Sequence, residues 1–366
     1  MIRLKAPGRI NLFGEHQDYL NFPIIAMAIS KYVYLEAERI SDSFFFIDLP
    51  DLNENLEIKL NQRELEYKSR RDYIRSGYNQ FIRSGFKFQR GYKIKITGDI
   101  PINAGAASSS ALVIVWLSFL NLISINKIKL DKFHLSLEGY NTEVKEFNEA
   151  GGMMDHFTSV YGNLIYLEPH QCNPKLINKK SKIDGFVLGN SNEKKETVED
   201  LLKVKNDSID AFKELKKIMP EFNQNESSLE QIRKFLPNLK KEFIKKIIGN
   251  IINRDITIQA KKLIFNNLVN KIDDNNISIL SEELGTLLNK HHYQLSKNIE
   301  ISTKKIEKMI SNCIEVGALG AKINGSGFGG TMFALFPKNE DLLVKAIEEA
   351  GGDASIIKTS NGVESY

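Results

Sequence analysis

A stretch of small residues in front of an apolar run is the first feature that can do chemistry. Residues 98–120 read GDIPINAGAASSSALVIVWLSFL. The first turn of a helix leaves backbone N–H groups unpaired and carries partial positive charge, and small residues let an anion approach it. The stretch therefore indicates a phosphate-binding loop, although by itself it fits a tightly packed turn equally well. It is not a Walker A loop, because no Gly-Lys-Ser/Thr follows.

A second cluster of polar side chains lies near the N-terminus. Residues 6–19, APGRINLFGEHQDY, place four of them within ten residues: Arg9, Glu15, His16 and Asp18. Closely spaced hydrogen-bonding side chains suit a polyhydroxylated ligand. The alternatives are a solvated loop and, for His16, a structural histidine.

A third cluster is acidic. Residues 141–157, NTEVKEFNEAGGMMDHF, contain Glu143, Glu146 and Glu149, and two glycines precede Asp155. A carboxylate among apolar and small residues can act as a base or as a magnesium partner. A helix cap or a buried ion pair is the structural alternative for Asp155.

A glycine-rich stretch lies near the C-terminus. Residues 320–330, GAKINGSGFGG, satisfy the pattern G-x-G-x-x-G through Gly325, Gly327 and Gly329–Gly330. A dinucleotide fold requires a helix after this pattern, whereas TMFALF predicts a strand. We therefore expect a hairpin whose backbone lies close to another loop or to a ligand.

The elements that must position these clusters can be predicted from periodicity. Alternation and β-branched or aromatic enrichment predict strands at residues 2–8, 32–40, 44–49, 56–60 and 92–100. Helical spacing predicts helices at 72–86 and 111–125, long amphipathic helices from about 191 to 316, and a buried face of Ile306, Ile310, Cys313 and Ile314. With 366 residues the chain suits two α+β domains, 1–178 and 179–366.

Composition narrows the function classes. The net charge is only +4, and lysines alternate with acidic residues as on solvated helix faces, which disfavours nucleic-acid binding. Cys172 and Cys313 are far apart and lack metal-ligand spacing, so a reducing compartment fits. The first 16 residues contain no apolar run long enough for a signal peptide, and the most hydrophobic segment, residues 111–125, is shorter than the roughly 20 residues of a membrane span. We expect a soluble cytoplasmic protein, monomeric or homodimeric, without nucleic-acid or membrane partners.

Four motifs in this order resemble the GHMP small-molecule kinases, named for galactokinase, homoserine kinase, mevalonate kinase and phosphomevalonate kinase. GRINLFGEHQDY is similar to the galactokinase signature, PINAGAASSSA to the phosphate loop, GGMMDHF to the galactokinase segment with the catalytic Asp, and GALGAKINGSGFGG to the third family motif. The resemblance implies a two-domain GHMP kinase fold of class α+β. Its N-terminal domain would be ribosomal protein S5 domain 2-like and its C-terminal domain ferredoxin-like.

The resemblance also implies roles for the matched residues. Asp155 falls at the position of the base for the anomeric hydroxyl, and Arg9 would stabilise the developing alkoxide. Sugar hydroxyls would be held by Glu15, His16, Asp18 and Gly152. Glu143 and a hydroxyl of Ser109 (or Ser108) would bind Mg²⁺, Tyr73 would line the adenine pocket, and the glycine loop of Gly325, Gly327 and Gly329 would support the site. The ATP phosphates would lie on the backbone of Asn103, Ala104, Gly105, Ala106, Ala107, Ser108, Ser109 and Ser110.

Some positions depart from the galactokinase pattern. Gln17 and His156 stand where Thr and Gln are usual, and Ala106 and Ala107 replace a larger apolar residue and a Ser. A Tyr-x-x-Arg-Arg-x-x-Cys segment, whose Tyr touches the sugar in galactokinases, is absent. Four residues could line the pocket in its place: Asn190, Ser191, Lys194 and Thr197.

The leading hypothesis is an ATP- and Mg²⁺-dependent kinase that phosphorylates the anomeric hydroxyl of a monosaccharide, with galactose first. Arabinose, an N-acetylhexosamine, a uronic acid or a heptose is the alternative substrate. A sensor that binds sugar and ATP without turnover is a second hypothesis, weakened because Asp155, Glu143 and the phosphate loop are all present. A mevalonate-type kinase is a third, disfavoured by Asp18-Tyr19 and MMDHF.

Overall fold

The structure is a computed structural model that describes residues 1–60, 63–127, 129–170, 173–181, 183–193, 197–267 and 274–366. These residues pack into two units. Unit 1 consists of Met1–Arg9, Met27–Asn163 and Thr359–Tyr366, and unit 2 consists of Ile10–Ala26 and Leu164–Lys358. Each unit combines helices with strands, which confirms the α+β class. The motif-based division of the sequence after residue 178 stays a prediction.

The sheet of unit 1 contains the five strands predicted for the N-terminal half. Strand β3 runs parallel to β5, while β2 pairs with β5 and β3 pairs with β4 in antiparallel register. The strands follow the order β12-β1-β2-β5-β3-β4; they are β1 (Ile2–Phe13), β2 (Ile24–Ile40), β3 (Phe44–Leu49), β4 (Glu54–Lys59), β5 (Gly91–Gly98) and β12 (Glu364–Ser365).

Strands β1 and β2 are longer than alternation predicts. The segment Ile24–Ile29 is buried on both faces and therefore shows no alternation to mark it as a strand. In the same way β1 continues through Arg9 to Phe13, so the first motif begins in a strand. The end of β1 and the beginning of β2 belong to unit 2.

Among the described residues, four α-helices complete unit 1: α1 (Tyr73–Arg83), α2 (Ser108–Ile123), α3 (Lys132–Tyr140) and α4 (Met154–Tyr161). Helix α2 is the predicted core helix. The centre of its Trp116 ring lies 6.0 Å from the centre of the Phe45 ring of β3. It begins three residues earlier than the apolar run suggests, at Ser108. The serines of the small-residue stretch therefore form its first turn.

In the part of the chain that the structure describes, unit 2 contains a hairpin, a second sheet and six α-helices. The hairpin pairs β6 (Leu164–Glu168) with β7 (Lys175–Lys179). The antiparallel sheet has the order β11-β8-β10-β9, with β8 (Phe186–Asn190), β9 (Gly320–Ile323), β10 (Thr331–Leu335) and β11 (Asp353–Ile357). The helices are α5 (Thr197–Ile218), α6 (Leu229–Ile232), α7 (Lys241–Asn267), α8 (Asp274–Gln294), α9 (Lys304–Glu315) and α10 (Glu340–Glu349).

The predicted apolar face of α9 needs one correction. Ile306, Ile310 and Cys313 are buried, but Ile314 is 40% exposed. At about 3.6 residues per turn, Ile314 lies at the margin of the face and Met309 fills the opposite margin. Cys313 is a free thiol, and Cys172 lies outside the described residues. Among the helices that the structure describes, none has the length and apolar character needed to cross a membrane.

Candidate active site

The small-residue stretch forms a loop with alternating backbone handedness. Asn103, Gly105 and Ala107 have φ angles of 55°, 86° and 64°. Left-handed backbone costs about 1 kcal/mol or more for a residue with a side chain, and such strain concentrates at functional loops. Ala107 directly precedes α2, so the unpaired N–H groups of the first helical turn belong to Ser108–Ser110. This geometry favours the phosphate-loop interpretation over a turn that merely packs.

Strand β1 contacts this loop through a backbone hydrogen bond. The Arg9 N–H donates to the Ala106 carbonyl at 3.1 Å. A Cβ added at Gly8 would lie only 2.7 Å from that carbonyl oxygen. Gly8 is therefore needed because the loop backbone approaches the strand closely.

We expect Gly8→Ala to raise the Kd for ATP about tenfold, because the new methyl group must displace the Ala106 carbonyl and with it the loop. Nucleotide titration by fluorescence or calorimetry measures the effect. Gly151→Ala is the matched control, since its added Cβ meets only Val144, at 3.5 Å. Equal nucleotide affinity in the native protein and Gly8→Ala would show that the loop does not bind the nucleotide.

Arg9 and Asp155 form a bidentate ion pair. Arg9 Nε donates to Asp155 Oδ1 at 2.7 Å, and Nη2 donates to Oδ2 at 2.6 Å. The third arm, Nη1, donates to the Gly105 carbonyl at 2.5 Å, which connects the pair to the small-residue loop. Only 5% of the Arg9 side chain is exposed but 24% of the Asp155 side chain is, so the carboxylate is the accessible member. The structural alternative, an ion pair, is thus present, and its partner is itself a motif residue.

Glu143 lies in a π-helical turn, Asn141–Lys145, that directly follows α3. Such turns are frequent at functional sites. Its Oε2 accepts from Ser110 Oγ at 2.6 Å and contacts His156 Nε2 at 2.7 Å. Burial alone would raise the pKa of Glu143, but hydrogen bonds from His156, Ser109 and Ser110 outweigh burial and lower it. Glu143 is therefore held as a carboxylate next to the serines of the loop.

These donors fit magnesium. Mg²⁺ prefers oxygen ligands and is usually held by one or two carboxylates together with substrate phosphates, not by a cage of protein groups. Glu143 supplies one carboxylate and the loop supplies hydroxyls. The described residues contain no group of three or more His, Cys, Asp or Glu side chains that could hold a metal ion.

A cleft of about 570 Å³ in unit 1 adjoins the loop. Tyr73, the predicted adenine-pocket residue, lines it together with Asn103, Ser108 and Ser109. Burial and the carboxylates of Glu143 and Glu149 raise the pKa of Tyr73, so its hydroxyl keeps its proton. Four basic residues that sequence reasoning missed also line the cleft: Lys68, Arg70, Arg71 and Arg75. The basic run KSRR before Tyr73 was the available signal for the first three.

In unit 2, the first-motif side chains are packed against one another and against the glycine loop. Glu15 is buried and ion-paired with Lys322. His16 Nδ1 lies 3.0 Å from the Tyr19 hydroxyl, and Nε2 lies 2.9 Å from the Ser326 carbonyl. Because a carbonyl can only accept, Nε2 carries the proton. Asp18 is partly exposed and accepts the Tyr19 N–H at 2.9 Å.

The glycine loop joins two antiparallel strands, β9 and β10. This confirms the predicted hairpin and excludes the dinucleotide fingerprint, which requires a helix at this point. Gly325, Gly327 and Gly329 have positive φ angles of 74°, 79° and 100°. A Cβ at Gly327 would lie 2.6 Å from the Ile301 backbone oxygen, so the hairpin does pack closely against another loop.

Three segments of the chain match known protein families. The galactokinase galactose-binding signature matches residues 2–39, the GHMP kinases N terminal domain matches residues 72–163, and the GHMP kinases C terminal domain matches residues 278–353. The chain belongs to the GHMP kinase family.

Individual relatives cover nearly the whole kinase. It is 27% identical to the galactokinase of Pyrococcus furiosus over 93% of this chain and 90% of the relative. It is also 27% identical to the mevalonate kinase of the same organism, over 97% and 95%. The crystal structure of Lactococcus lactis galactokinase complexed with galactose has the same fold, with a TM-score of 0.84, 20% identity, and coverage of 100% and 95%.

The structure brings most of the kinase's predicted site residues together within each unit. In unit 1, Arg9 and Asp155 adjoin the loop, Glu143 adjoins its serines, and Tyr73 lines the neighbouring cleft. Gly152 lies two residues before α4. In unit 2, Glu15 and His16 adjoin the glycine loop. Sequence reasoning missed Ser110 and His156 as the groups that hold Glu143.

The residues proposed to replace the missing tyrosine segment are only partly described. Ser191 is fully buried, and its N–H donates to the Gly330 carbonyl at 2.7 Å. Asn190 ends β8. Lys194 lies outside the described residues, and only the backbone of Thr197 is described, as the first residue of α5.

Proposed function

We propose that this GHMP kinase is a cytoplasmic sugar kinase that uses ATP and Mg²⁺ to phosphorylate the anomeric hydroxyl of a monosaccharide, with galactose as the leading substrate. The product would be galactose 1-phosphate. The observation that carries this proposal is the ion pair of Arg9 and Asp155, which places an accessible carboxylate beside a phosphate loop. The galactose-binding signature over residues 2–39 supports the choice of sugar.

The chemistry follows from what phosphoryl transfer needs. The transition state requires in-line positioning and neutralisation of phosphate charge more than covalent assistance. Backbone N–H groups of residues 103–110 would hold the ATP phosphates at the start of α2. Asp155 would orient the anomeric hydroxyl and accept its proton, while Arg9 fixes the carboxylate and offsets developing negative charge.

Mg²⁺ would bind between Glu143 and the small-residue loop. Glu143 and the Ser109 hydroxyl would hold the ion, with the phosphates completing its coordination. When bound, Mg²⁺ neutralises charge on the transferred phosphate. Ser110 and His156 would fix the direction of the Glu143 carboxylate, as groups behind a metal ligand commonly do.

Sugar is favoured over mevalonate by the first motif. Glu15, His16, Asp18 and Gly152 would hold the sugar hydroxyls, and the Asp18-Tyr19 ending resembles sugar kinases. The choice among sugars rests on fewer residues, because the galactokinase tyrosine segment is absent. Helix α5 instead presents Lys205, whose ammonium lies 5.6 Å from the centre of the Tyr19 ring and interacts electrostatically with Asp18. Because the Asp18 carboxylate already offsets the Lys205 charge, arabinose, an N-acetylhexosamine, a uronic acid and a heptose are all kept as alternative substrates.

The proposal is tested by Mg²⁺-dependent ATP turnover with galactose, arabinose, an N-acetylhexosamine, a uronic acid, a heptose and mevalonate, with Asp155→Asn as control. Asp155-dependent turnover of galactose alone would support it. Turnover of another sugar would change the substrate and keep the reaction. Turnover of mevalonate alone would contradict it, and binding of ATP and sugar without turnover would favour a sensor.

We expect Asp18→Ala to raise the KM of the sugar at least about tenfold and to leave the KM of ATP nearly unchanged, because Asp18 would read a sugar hydroxyl and does not belong to the phosphate loop. Steady-state kinetics with each substrate varied in turn measures both constants. Equal effects on the two substrates would indicate misfolding, which circular dichroism would detect.

A further inference from the structure

A buried lysine lies behind the first motif in unit 2. The Lys322 side chain is 0% exposed. Its ammonium donates to the Asn11 carbonyl at 2.9 Å, to the Ile323 carbonyl at 3.1 Å and to the Glu15 carboxylate. Three acceptors match the three protons of an ammonium. Because a buried charge is tolerated only when it is paired and hydrogen-bonded, the Glu15 carboxylate is what allows Lys322 to lie here.

Two side chains hold both backbone groups of Asn11. Lys322 belongs to β9 and Asn324 follows it two positions later, so both side chains point to the same side of the extended chain. Lys322 donates to the Asn11 carbonyl, and Asn324 Oδ1 accepts the Asn11 N–H at 2.9 Å. Buried backbone groups require such partners. Two side chains therefore fix the final part of β1, shortly before the turn from His16 to Asp18.

His291 of α8 binds the backbone of Gly14, which directly follows β1. Its Nε2 accepts the Gly14 N–H at 3.1 Å, so the neutral ring carries its proton on Nδ1. Burial, with Lys322 and His292 nearby, lowers the pKa of His291 well below its usual value, which keeps the ring neutral. Nδ1 lies 3.7 Å from Glu15 Oε2, which is beyond hydrogen-bonding distance, so the hold of His291 on this segment is its bond to the Gly14 N–H.

We infer that Lys322, through Glu15, and His291, through Gly14, are positioning residues that hold the turn from His16 to Asp18 in the conformation that binds the sugar. This inference rests on the proposed function of the first motif. Lys322 and His291 are both 0% exposed, so their effect on the sugar must pass through the residues they hold. Neither residue belongs to the phosphate loop or the nucleotide cleft of unit 1.

Lys322→Met is the first test, with D-galactose binding measured by calorimetry and both KM values by steady-state kinetics. The variant leaves the Glu15 carboxylate buried without its cation, so the melting temperature should fall by about 5–10 °C. The Kd for galactose should rise at least about tenfold, while the KM of ATP stays within about twofold. His291→Leu, which removes the acceptor of the Gly14 N–H, should show the same division. An unchanged galactose Kd in Lys322→Met would overturn the inference.

A double-mutant cycle separates positioning from an independent effect. If Lys322 acts through Glu15, the double variant Glu15→Gln/Lys322→Met should bind galactose about as well as Glu15→Gln alone. Removing both charges should also restore much of the melting temperature. This pair therefore remains informative if Lys322→Met fails to fold. Losses of affinity that multiply in the double variant would overturn the inference.

A second buried lysine provides the control for general destabilisation. Lys246 of α7 donates to the Ile299 carbonyl at 2.6 Å and makes no contact with Glu15 or the glycine loop in the described contacts. Lys246→Met should lower the melting temperature without changing the galactose Kd. An equal loss of affinity in this control would overturn the inference. Native protein that does not bind galactose would contradict the proposed substrate and not the positioning role, and the same comparison of variants would then be made with the sugar that the protein turns over.

Discussion

Replacing Asp155 with asparagine is expected to reduce turnover at least about a hundredfold and to leave ATP binding near the native value. The amide keeps the size of the carboxylate but cannot accept the proton of the anomeric hydroxyl. It also cannot form the charged bidentate pair with Arg9, whose guanidinium would lose its partner beside the Gly105 carbonyl. Single-turnover kinetics and calorimetric titration with a non-hydrolysable ATP analogue measure the two quantities separately.

A double variant of the ion pair provides a control for Asp155→Asn. Because Arg9 and Asp155 act as a unit, the double variant Arg9→Met/Asp155→Asn should be no slower than the slower single variant by more than a small factor. Loss of the pair also destabilises the fold, since only 5% of the Arg9 side chain is exposed, so turnover must be compared well below the melting temperature of each variant. Full activity of Asp155→Asn would remove Asp155 from the mechanism.

The elements and motifs of this chain could be predicted from the sequence because they depend on local patterns. The apolar run after the small-residue stretch predicts α2, and the glycines between two strand-like segments predict the β9–β10 hairpin. The left-handed conformation of Ala107 could not be predicted in this way, since nothing about an alanine marks it. Ala107 directly follows Ala106, whose carbonyl lies against β1 at Gly8, a contact between segments about 100 residues apart.

The groups behind the site could not be predicted because they meet over long distances in the sequence. Arg9 and Asp155 are 146 residues apart, and Glu15 and Lys322 are 307 apart. The residue types were enough to predict each motif. Only the fold shows that Lys322, in the glycine-rich motif near the C-terminus, pairs with Glu15 of the first motif. The same holds for His156, which as a departure from the galactokinase pattern carried no predicted role and proves to contact Glu143.

The second large effect is expected at Glu143. Glu143→Gln should reduce turnover at least about a hundredfold at low magnesium and should raise the Mg²⁺ concentration needed for half-maximal activity, because the amide offers the ion no negative charge. Calorimetric titration of ADP at several Mg²⁺ concentrations provides a readout independent of turnover. Its magnesium dependence should weaken in the variant, and an unchanged dependence would show that Glu143 does not hold the metal.

Glu146→Gln is the matched control for Glu143→Gln. Glu146 lies three residues later in the same helical stretch, but it pairs with Arg83 and Gln80 and lies outside the loop contacts. Its replacement should leave the magnesium dependence unchanged.

Glu143→Gln should also change how the stability of the fold depends on acid pH. The folded-state pKa of Glu143 is lowered, so its contribution to stability is present above the unfolded-state pKa and is lost as pH falls through the folded-state value. Glu143→Gln lacks that contribution, and thermal unfolding followed from neutral to acidic pH should therefore show a smaller loss of stability than in the native protein.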